Sequence, residues 1–453
     1  MEFTHRTYEQ GQTIAAIATP PGIGGIAIIR ISGDRAFDTA NRIFSGPIYK
    51  YASHTAHFGT ILDVEGNSID EGLALIMKKP KSYTGEDTVE FHCHGGSVVS
   101  RKVLESTFAA GARAALPGEF TFKAFQNGKM DLTRAEAVQE IIASKNELAW
   151  QVAESHLKGK LYDQISLFQK EITEVGAIFE AWIDFPDEGL ENISKENLLR
   201  SLKKILTDMT ALYQSFHDGK ILHTSPSLCL IGAPNVGKSS LMNLLAGNER
   251  AIVTHIPGTT RDIVKERVQI AGMSFHLLDT AGIRESAEIV EREGVCRAYA
   301  AAHNADLVLL VLDVTDPTNI PPQLPSKNTI LIWNKIDLKH NPLPKLPFTH
   351  QVRVSAKNGL GLNFLKEEIH RILWHKHPPS KEEVVLTNAR HYYALGSAIT
   401  SLKKVVKGVQ IERSPEFLMA DIHHSLRELG TIIGINIADE ILSTIFSKFC
   451  VGK

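Results

Sequence analysis

The chain has 453 residues, with 49 lysines and arginines against 51 aspartates and glutamates, a formal charge of -2. That length leaves room for about three domains, each able to bury its own core. The near-neutral balance excludes a surface that is basic throughout and grips nucleic acid by charge alone; only a local basic patch stays open. Cys93, Cys229, Cys296 and Cys450 form no C-x-x-C pair, so neither a disulfide framework nor a zinc site is indicated. The start, Met1 to Gln12, is polar, without the apolar segment of a secretory signal. The longest apolar runs, such as Leu307 to Leu312, fall far short of the ~20 residues of a membrane span. A cytoplasmic protein with no membrane partner is the expectation.

In chain order, residues 1–130 mix short β-rich runs, such as Ile26 to Ile31, with glycines and prolines, as an α+β domain does. Residues 131–222 turn helical. Thr133 with Glu136 three residues on has the form of a capping box. Leu161, Ile165, Phe168, Ile172, Val175, Phe179 and Trp182 recur at spacings of four and three, which puts them on one helix face. Residues 223–376 alternate strand-like and helical runs, the pattern of an α/β domain. After Pro378-Pro379-Ser380, residues 377–453 are helical again, one helix opening at Ser414-Pro415 and another at Asn436 with Asp439. Neither helical stretch closes a core alone. The economical architecture is one helical domain interrupted by an inserted α/β domain, since insertions at exposed loops are well tolerated.

The inserted domain carries the clearest chemistry. The strand-like Leu228 to Ile231 leads into Gly232-Ala233-Pro234-Asn235-Val236-Gly237-Lys238-Ser239 and then a helical run from Ser240, which is G-x-x-x-x-G-K-[ST] in its strand–loop–helix setting. Glycines let the backbone wrap phosphates, amides and the helix N-terminus bind negative charge, and Lys238 reaches the terminal phosphates. The Ser239 hydroxyl is the Mg²⁺ ligand expected of this loop. Asp279-Thr280-Ala281-Gly282 follows the strand-like Phe275 to Leu278; Asp279 would hold Mg²⁺ through water and the Gly282 amide would sense the terminal phosphate. Asn334-Lys335-Ile336-Asp337 follows Ile330 to Trp333, and the Asp337 carboxylate can accept the ring and exocyclic N–H groups of guanine, an exchange adenine cannot make. Ser355-Ala356-Lys357 completes the base pocket. Four such elements in this order imply GTP binding. The residue after Gly282, where Ras-like GTPases carry the water-positioning glutamine, is Ile283, which cannot hydrogen-bond water. Either hydrolysis is slow or another residue supplies the function; Glu291 is the candidate, with a solvated helix charge as the plainer alternative.

Two features near the start mislead. Gly22-x-Gly24-x-x-Ala27 superficially matches a dinucleotide fingerprint, but a strand-like run follows where a helix is required. His92 and His94 share one face if their segment is a strand, and a hydrogen-bonded histidine is the commoner explanation than a metal ligand. At the other end, Cys450 stands fourth from the last residue; Gly452, Lys453 and the lack of a polybasic stretch argue against a prenylation box.

A set of further motifs runs through nearly the whole chain: Ala18-Thr19-Pro20-Pro21-Gly22-Ile23-Gly24-Gly25, Tyr83-Thr84-Gly85-Glu86-Asp87, His94-Gly95-Gly96, Pro117-Gly118-Glu119-Phe120, Asp184-Phe185-Pro186-Asp187-Glu188, Gly258-Thr259-Thr260-Arg261-Asp262 and the terminal Cys450-Val451-Gly452-Lys453. In these the sequence resembles the MnmE (TrmE) family of bacterial tRNA-modification GTPases. The resemblance implies an N-terminal folate-binding and dimerisation domain, a helical domain in two parts and an inserted Ras-like GTPase domain with a mixed sheet. It implies K⁺ beside the phosphates, where Asn235 matches the ligating asparagine and Thr254-His255-Ile256-Pro257-Gly258-Thr259 the loop around the ion, with Thr254, Ile256 and Thr259 as ligands. Thr260 matches the switch threonine on Mg²⁺, and Glu291 the water-orienting glutamate. Arg30, Glu90, Lys129 and Lys453 match residues around a 5-formyl- or methylene-tetrahydrofolate, and Cys450 matches a functional cysteine whose chemical role stays open. The family pattern further implies a homodimer whose GTPase domains meet face to face. It implies a heterotetramer with the flavoprotein MnmG, which would supply FAD and use NADH, and tRNA as the substrate modified at carbon 5 of the wobble uridine. A ribosome-assembly or regulatory GTPase switch without modification chemistry is the alternative, although no KH-like G-x-x-G loop stands in the C-terminal segment.

Overall fold

The computed structural model describes residues 11–184, 194–223, 225–246, 267–270, 272–278, 301–317, 327–338, 342–374, 380 and 383–453. Thr254 to Thr260, Asp279 to Gly282, Ile283 and Glu291 lie outside the described residues. The chain divides into two compact units, one made of 1–142, 156–187 and 414–453, the other of 143–155 and 188–413. The helices of the segment 131–222 are therefore shared between the two.

The first unit holds strands β1 (Ile14–Ile17), β2 (Ile26–Ser32), β3 (Thr55–Leu62), β4 (Ser68–Met77), β5 (Thr88–His94) and β6 (Arg113–Ala114), in the order β3-β4-β5-β2-β1-β6. All neighbours are antiparallel except β1 and β6. Side chains alternate along each strand. Ala27, Ile29 and Ile31 of β2 and Val89, Phe91 and Cys93 of β5 enter a core shared with Val103 of the helix Ser97–Ala109. Ile28, Arg30, Glu90 and His92 consequently belong to the opposite face. The run after Gly22-x-Gly24 is β2, a strand, as its sequence indicates.

The expected face of the helix Lys160–Asp184 is realised: Leu161, Ile165, Phe168, Ile172, Val175 and Phe179 are buried, and Trp182 sets its ring edge-on to Phe179 at 5.4 Å. Two expected helix starts are corrected. The helix Leu132–Ala143 is capped by Asp131, whose Oδ1 accepts from the amides of Thr133 at 2.9 Å and Arg134 at 3.1 Å, so Thr133 lies inside the first turn rather than at the cap. The last helix is Asp439–Phe446 with Ala438 at its cap, while Asn436 sits before it in a left-handed conformation at φ 55°. Ser414 stands at the N-cap position of the helix Pro415–Ile433, without a side-chain capping hydrogen bond, and proline follows in the first turn, as read from the sequence.

The second unit holds β7 (Ser227–Ile231), β8 (Arg267–Ile270), β9 (Met273–Leu277), β10 (Leu307–Asp313), β11 (Thr329–Asn334) and β12 (His350–Arg353), in the order β12-β11-β10-β7-β9-β8. Only β8 with β9 is antiparallel, so the sheet is mixed. Leu307, Leu309 and Val311 enter the core on one face, and Val308, Leu310 and Leu312 enter that on the other. Burial on both faces explains why this strand reads as a continuous apolar run.

The C-terminal segment returns to the first sheet. Phe446 packs edge-on against Phe122 at 5.3 Å and touches Phe125 and Phe449. Gly118, in a left-handed turn at φ 70°, passes so close that a Cβ there would stand 2.6 Å from the Phe446 carbonyl oxygen. Phe446→Ala is expected to weaken the docking of this helix by about 3–5 kcal/mol. Truncating the exposed Ile441 of the same helix to alanine should stay near neutral. Hydrogen exchange in Glu119–Gln126 reads the difference, and equal protection in the two variants would contradict the packing described.

Candidate functional site

The phosphate loop is built between β7 and the helix Lys238–Ala246. A Cβ at Gly232 would lie 2.3 Å from the Val311 carbonyl oxygen, so only glycine lets the chain leave β7 beside β10. Gly237 has φ 96° and a Cβ there would meet Asn334 Nδ2 at 2.3 Å. Asn235 occupies a left-handed conformation at φ 64°, which asparagine tolerates better than most residues. Val236 is buried, while Asn235, Ser239 and Ser240 are exposed. Lys238 Nζ donates to the carbonyls of Gly232 at 2.9 Å and Ala233 at 2.7 Å, and burial lowers its pKa.

The base-side elements are tied to this loop by Asn334. Its side chain is buried, donating from Nδ2 to the Val236 carbonyl at 2.8 Å and accepting at Oδ1 from the Ala356 amide at 3.0 Å. Asn334 is thus a brace joining the phosphate loop to Ser355-Ala356-Lys357. Asp337 is exposed, and its Oδ1 accepts from the Ser355 hydroxyl at 2.6 Å. That hydrogen bond is the main cause holding its pKa below the usual carboxylate value; desolvation opposes it, and the charges of Lys357 and Lys335 assist. Ser355 also accepts from the Asn358 amide at 3.2 Å. Lys335, at φ 67°, pairs its Nζ with Asp313 Oδ2 at 2.6 Å, and Asp313 is held in turn by the Thr315 amide and hydroxyl. Asp313 and Thr315 belong to none of the sequence motifs, although a carboxylate at the carboxyl end of a central parallel strand is where such sites form.

On the first sheet, register sets Arg30 of β2 directly opposite Glu90 of β5. Arg30 Nε donates to Glu90 Oε1 at 2.7 Å and its NH1 to the Gly452 carbonyl at 3.1 Å. The guanidinium lies between the rings of Tyr83 and Phe120, at 5.8 Å and 5.6 Å from their centroids. Lys453 Nζ stands 5.4 Å from the Tyr83 ring centroid, and its pKa is lowered by desolvation first and by Arg30 second, with Glu90 opposing. Gly452, at φ 97°, presses on β1: a Cβ would stand 2.5 Å from the Ile17 carbonyl oxygen. Arg30, Glu90 and Lys453 therefore meet. Lys129 is exposed and donates instead to the Pro80 carbonyl at 3.0 Å, at the start of the loop that carries Tyr83. The Cys450 side chain is exposed, while its carbonyl accepts from the Gly118 and Lys453 amides at 3.4 Å each. Tyr83 and Phe120 lie inside the family motifs without a role that the sequence alone assigns; the signal for one is their aromatic character beside a strand arginine.

A phosphate loop leaving a central parallel strand, braced to an ionised aspartate that faces outward, defines a P-loop nucleotide hydrolase of the GTPase class. Two sequence families account for nearly all of the chain: the GTP-binding protein TrmE N-terminus over residues 13–129 and the MnmE helical domain over residues 132–450. The tRNA modification GTPase MnmE of Protochlamydia amoebophila (strain UWE25) is 55% identical over 458 residues, covering 100% of both chains. That of Chlamydia trachomatis serovar L2 is 42% identical, covering 98% of this chain and 100% of the relative. Among solved structures, the G domain of the T. maritima FeoB iron transporter aligns with 33% of this chain and 100% of its own at 27% identity and TM-score 0.22, too loose a superposition to bear on the fold. The chain belongs to the MnmE (TrmE) family.

Removing the brace tests the site. Each buried hydrogen bond broken with its partner left unpaired is worth roughly 1–3 kcal/mol. Asn334→Ala is accordingly expected to lower GTP affinity by about tenfold to several hundredfold, read by titration with a fluorescent nucleotide. Asp337→Asn should shift preference from guanine to xanthine nucleotides, because the amide offers a donor where the carboxylate accepted two. Unchanged guanine preference in Asp337→Asn would remove it from the base pocket.

Proposed function

We propose that the chain couples GTP hydrolysis to tRNA modification. The observation that carries this reading is the Asn334 brace between phosphate loop and base pocket, in a chain whose full-length relatives are named tRNA modification GTPases. Asn235, Val236, Gly237, Lys238, Ser239 and Ser240 would cradle the phosphates, and Asn334, Lys335, Asp337, Ser355, Ala356 and Lys357 would form the base pocket. Mg²⁺ would be held by the exposed Ser239 hydroxyl with Thr260 and Asp279. K⁺ would be held by Asn235 with Thr254, Ile256 and Thr259; the exposed amide of Asn235 at the loop's left-handed turn fits such a ligand. With Ile283 in place of the glutamine, Glu291 would position the attacking water, in a homodimer whose GTPase domains pair during turnover.

The partner in this reading is the flavoprotein MnmG, which brings FAD and NADH, and the product is an aminomethyl-type group at carbon 5 of the wobble uridine. The one-carbon donor is a tetrahydrofolate, which when bound supplies the carbon. The residues present fit it: Glu90 offers a buried carboxylate for ring N–H groups, Arg30 and Lys453 offer cations, and the His92 ring next to Glu90 has a buried nitrogen without a hydrogen-bond partner among the described residues. Hydrolysis is expected to run faster in K⁺ than in Na⁺ at matched ionic strength; equal rates would remove the potassium site. Glu90→Ala is expected to abolish tetrahydrofolate binding while leaving GTP affinity unchanged, measured by calorimetry on the full chain. Transfer RNA from a deletion strain, hydrolysed to nucleosides, is expected to lack the modified wobble uridine; its persistence would overturn the modification reading.

A further inference from the structure

The face of the first sheet opposite its core carries Glu90 and His92 two residues apart on β5. The pairing with β2 sets Ile28 beside His92, and that with β4 sets Leu73 on its other side. Glu90 divides its oxygens: Oε1 takes Arg30, whereas Oε2 accepts no hydrogen bond among the described residues and stands 3.6 Å from His92 Nε2. That separation is beyond a hydrogen bond. The Nε2 atom is itself buried and has no hydrogen-bond partner among the described residues. A buried polar atom that the protein itself leaves unpaired is a place for a water, an ion or a ligand to complete.

The neighbouring carboxylate favours the tautomer with its proton on Nε2. The pair then presents an acceptor and a donor side by side, 3.6 Å apart, with Ile28 and Leu73 on either side of His92 and Arg30 and Leu75 on either side of Glu90. Two parallel hydrogen bonds of that sense match a ring lactam, where an N–H adjoins a C=O. We propose that Glu90 and His92 together read the lactam edge of a 4-oxo pterin, with Glu90 accepting from the ring N–H and His92 donating to the ring carbonyl. His92 is the specificity-determining residue. This rests on the folate reading of the site given above. A 4-amino pterin places an amino group where the carbonyl stood, setting donor against donor at His92, and leaves the adjacent ring nitrogen without its proton, setting acceptor against acceptor at Glu90; a site built around a polar group rejects the analogue that lacks it.

Folic acid and aminopterin differ only in this oxo-for-amino exchange, which makes them the matched probes, with 5-formyl-tetrahydrofolate as the reference ligand for the site. Calorimetry on the full chain is expected to give folic acid at least roughly a tenfold advantage over aminopterin. His92→Ala should narrow that advantage by weakening folic acid roughly tenfold while aminopterin stays within about threefold, the remaining preference being that of Glu90 for the ring N–H. His92→Gln, whose amide N–H can still donate, should keep folic acid within about threefold of the unmodified chain. A ratio unmoved by His92→Ala, in a chain that binds 5-formyl-tetrahydrofolate, overturns the inference alone. If the unmodified chain binds no folate of any kind, the site reading falls and this inference with it.

Discussion

The burial of one long helix against another, far apart in sequence, is the constraint on which the first unit rests. The helix Lys160–Asp184 lays its apolar stripe on the helix Pro415–Ile433, where Gly176 faces Ile422. Closing the chain over such a separation is entropically tolerable, because the cost grows only with the logarithm of loop length. The chain beyond the second helix is thereby delivered to a fixed place. Phe446 enters the cluster with Phe122 and Leu132, and the residues after it reach β1 and Arg30.

Both candidate sites rest on the same device, a side chain whose hydrogen-bonding groups are used to join two segments of the chain. Asn334 commits both ends of its amide to backbone, one on each side of the nucleotide pocket. Arg30 joins β5 through Glu90 to the C-terminal tail through Gly452. In each case the bracing residue does not have to touch a ligand to matter. It removes conformations the loops would otherwise sample, so less ordering remains to be done on binding.

Local chemistry is legible in the sequence; pairing is not. The phosphate loop, β7, β10, β11 and the buried stripe from Leu161 to Phe179 follow from short-range pattern, since their periodicity and glycines are fixed by neighbours a few residues away. The expectation for Thr133 fails because Asp131, two residues earlier, competes for the same amides with a stronger, charged acceptor. That for Asn436 fails because a residue that suits a helix cap also suits a left-handed turn. The meeting of Arg30 with Glu90 depends on antiparallel register between strands sixty residues apart. Their grouping comes from family resemblance rather than from spacing. Asp313 escapes local pattern for a related reason: its partner Lys335 lies on the neighbouring strand's loop, and only the parallel pairing of β10 with β11 brings the two together.

The C-terminal tail separates anchoring from chemistry. It is held by backbone: the Gly452 carbonyl accepts from Arg30, the Cys450 carbonyl accepts from two amides, and Gly452 needs its left-handed conformation to pass β1. None of these contacts uses the Cys450 thiol, which stays exposed. Replacing the cysteine side chain therefore leaves the anchors intact, whereas replacing Gly452 would displace them through its Cβ. Any function of Cys450 can consequently be separated from its structural surroundings, because the backbone that positions it does not depend on the sulfur.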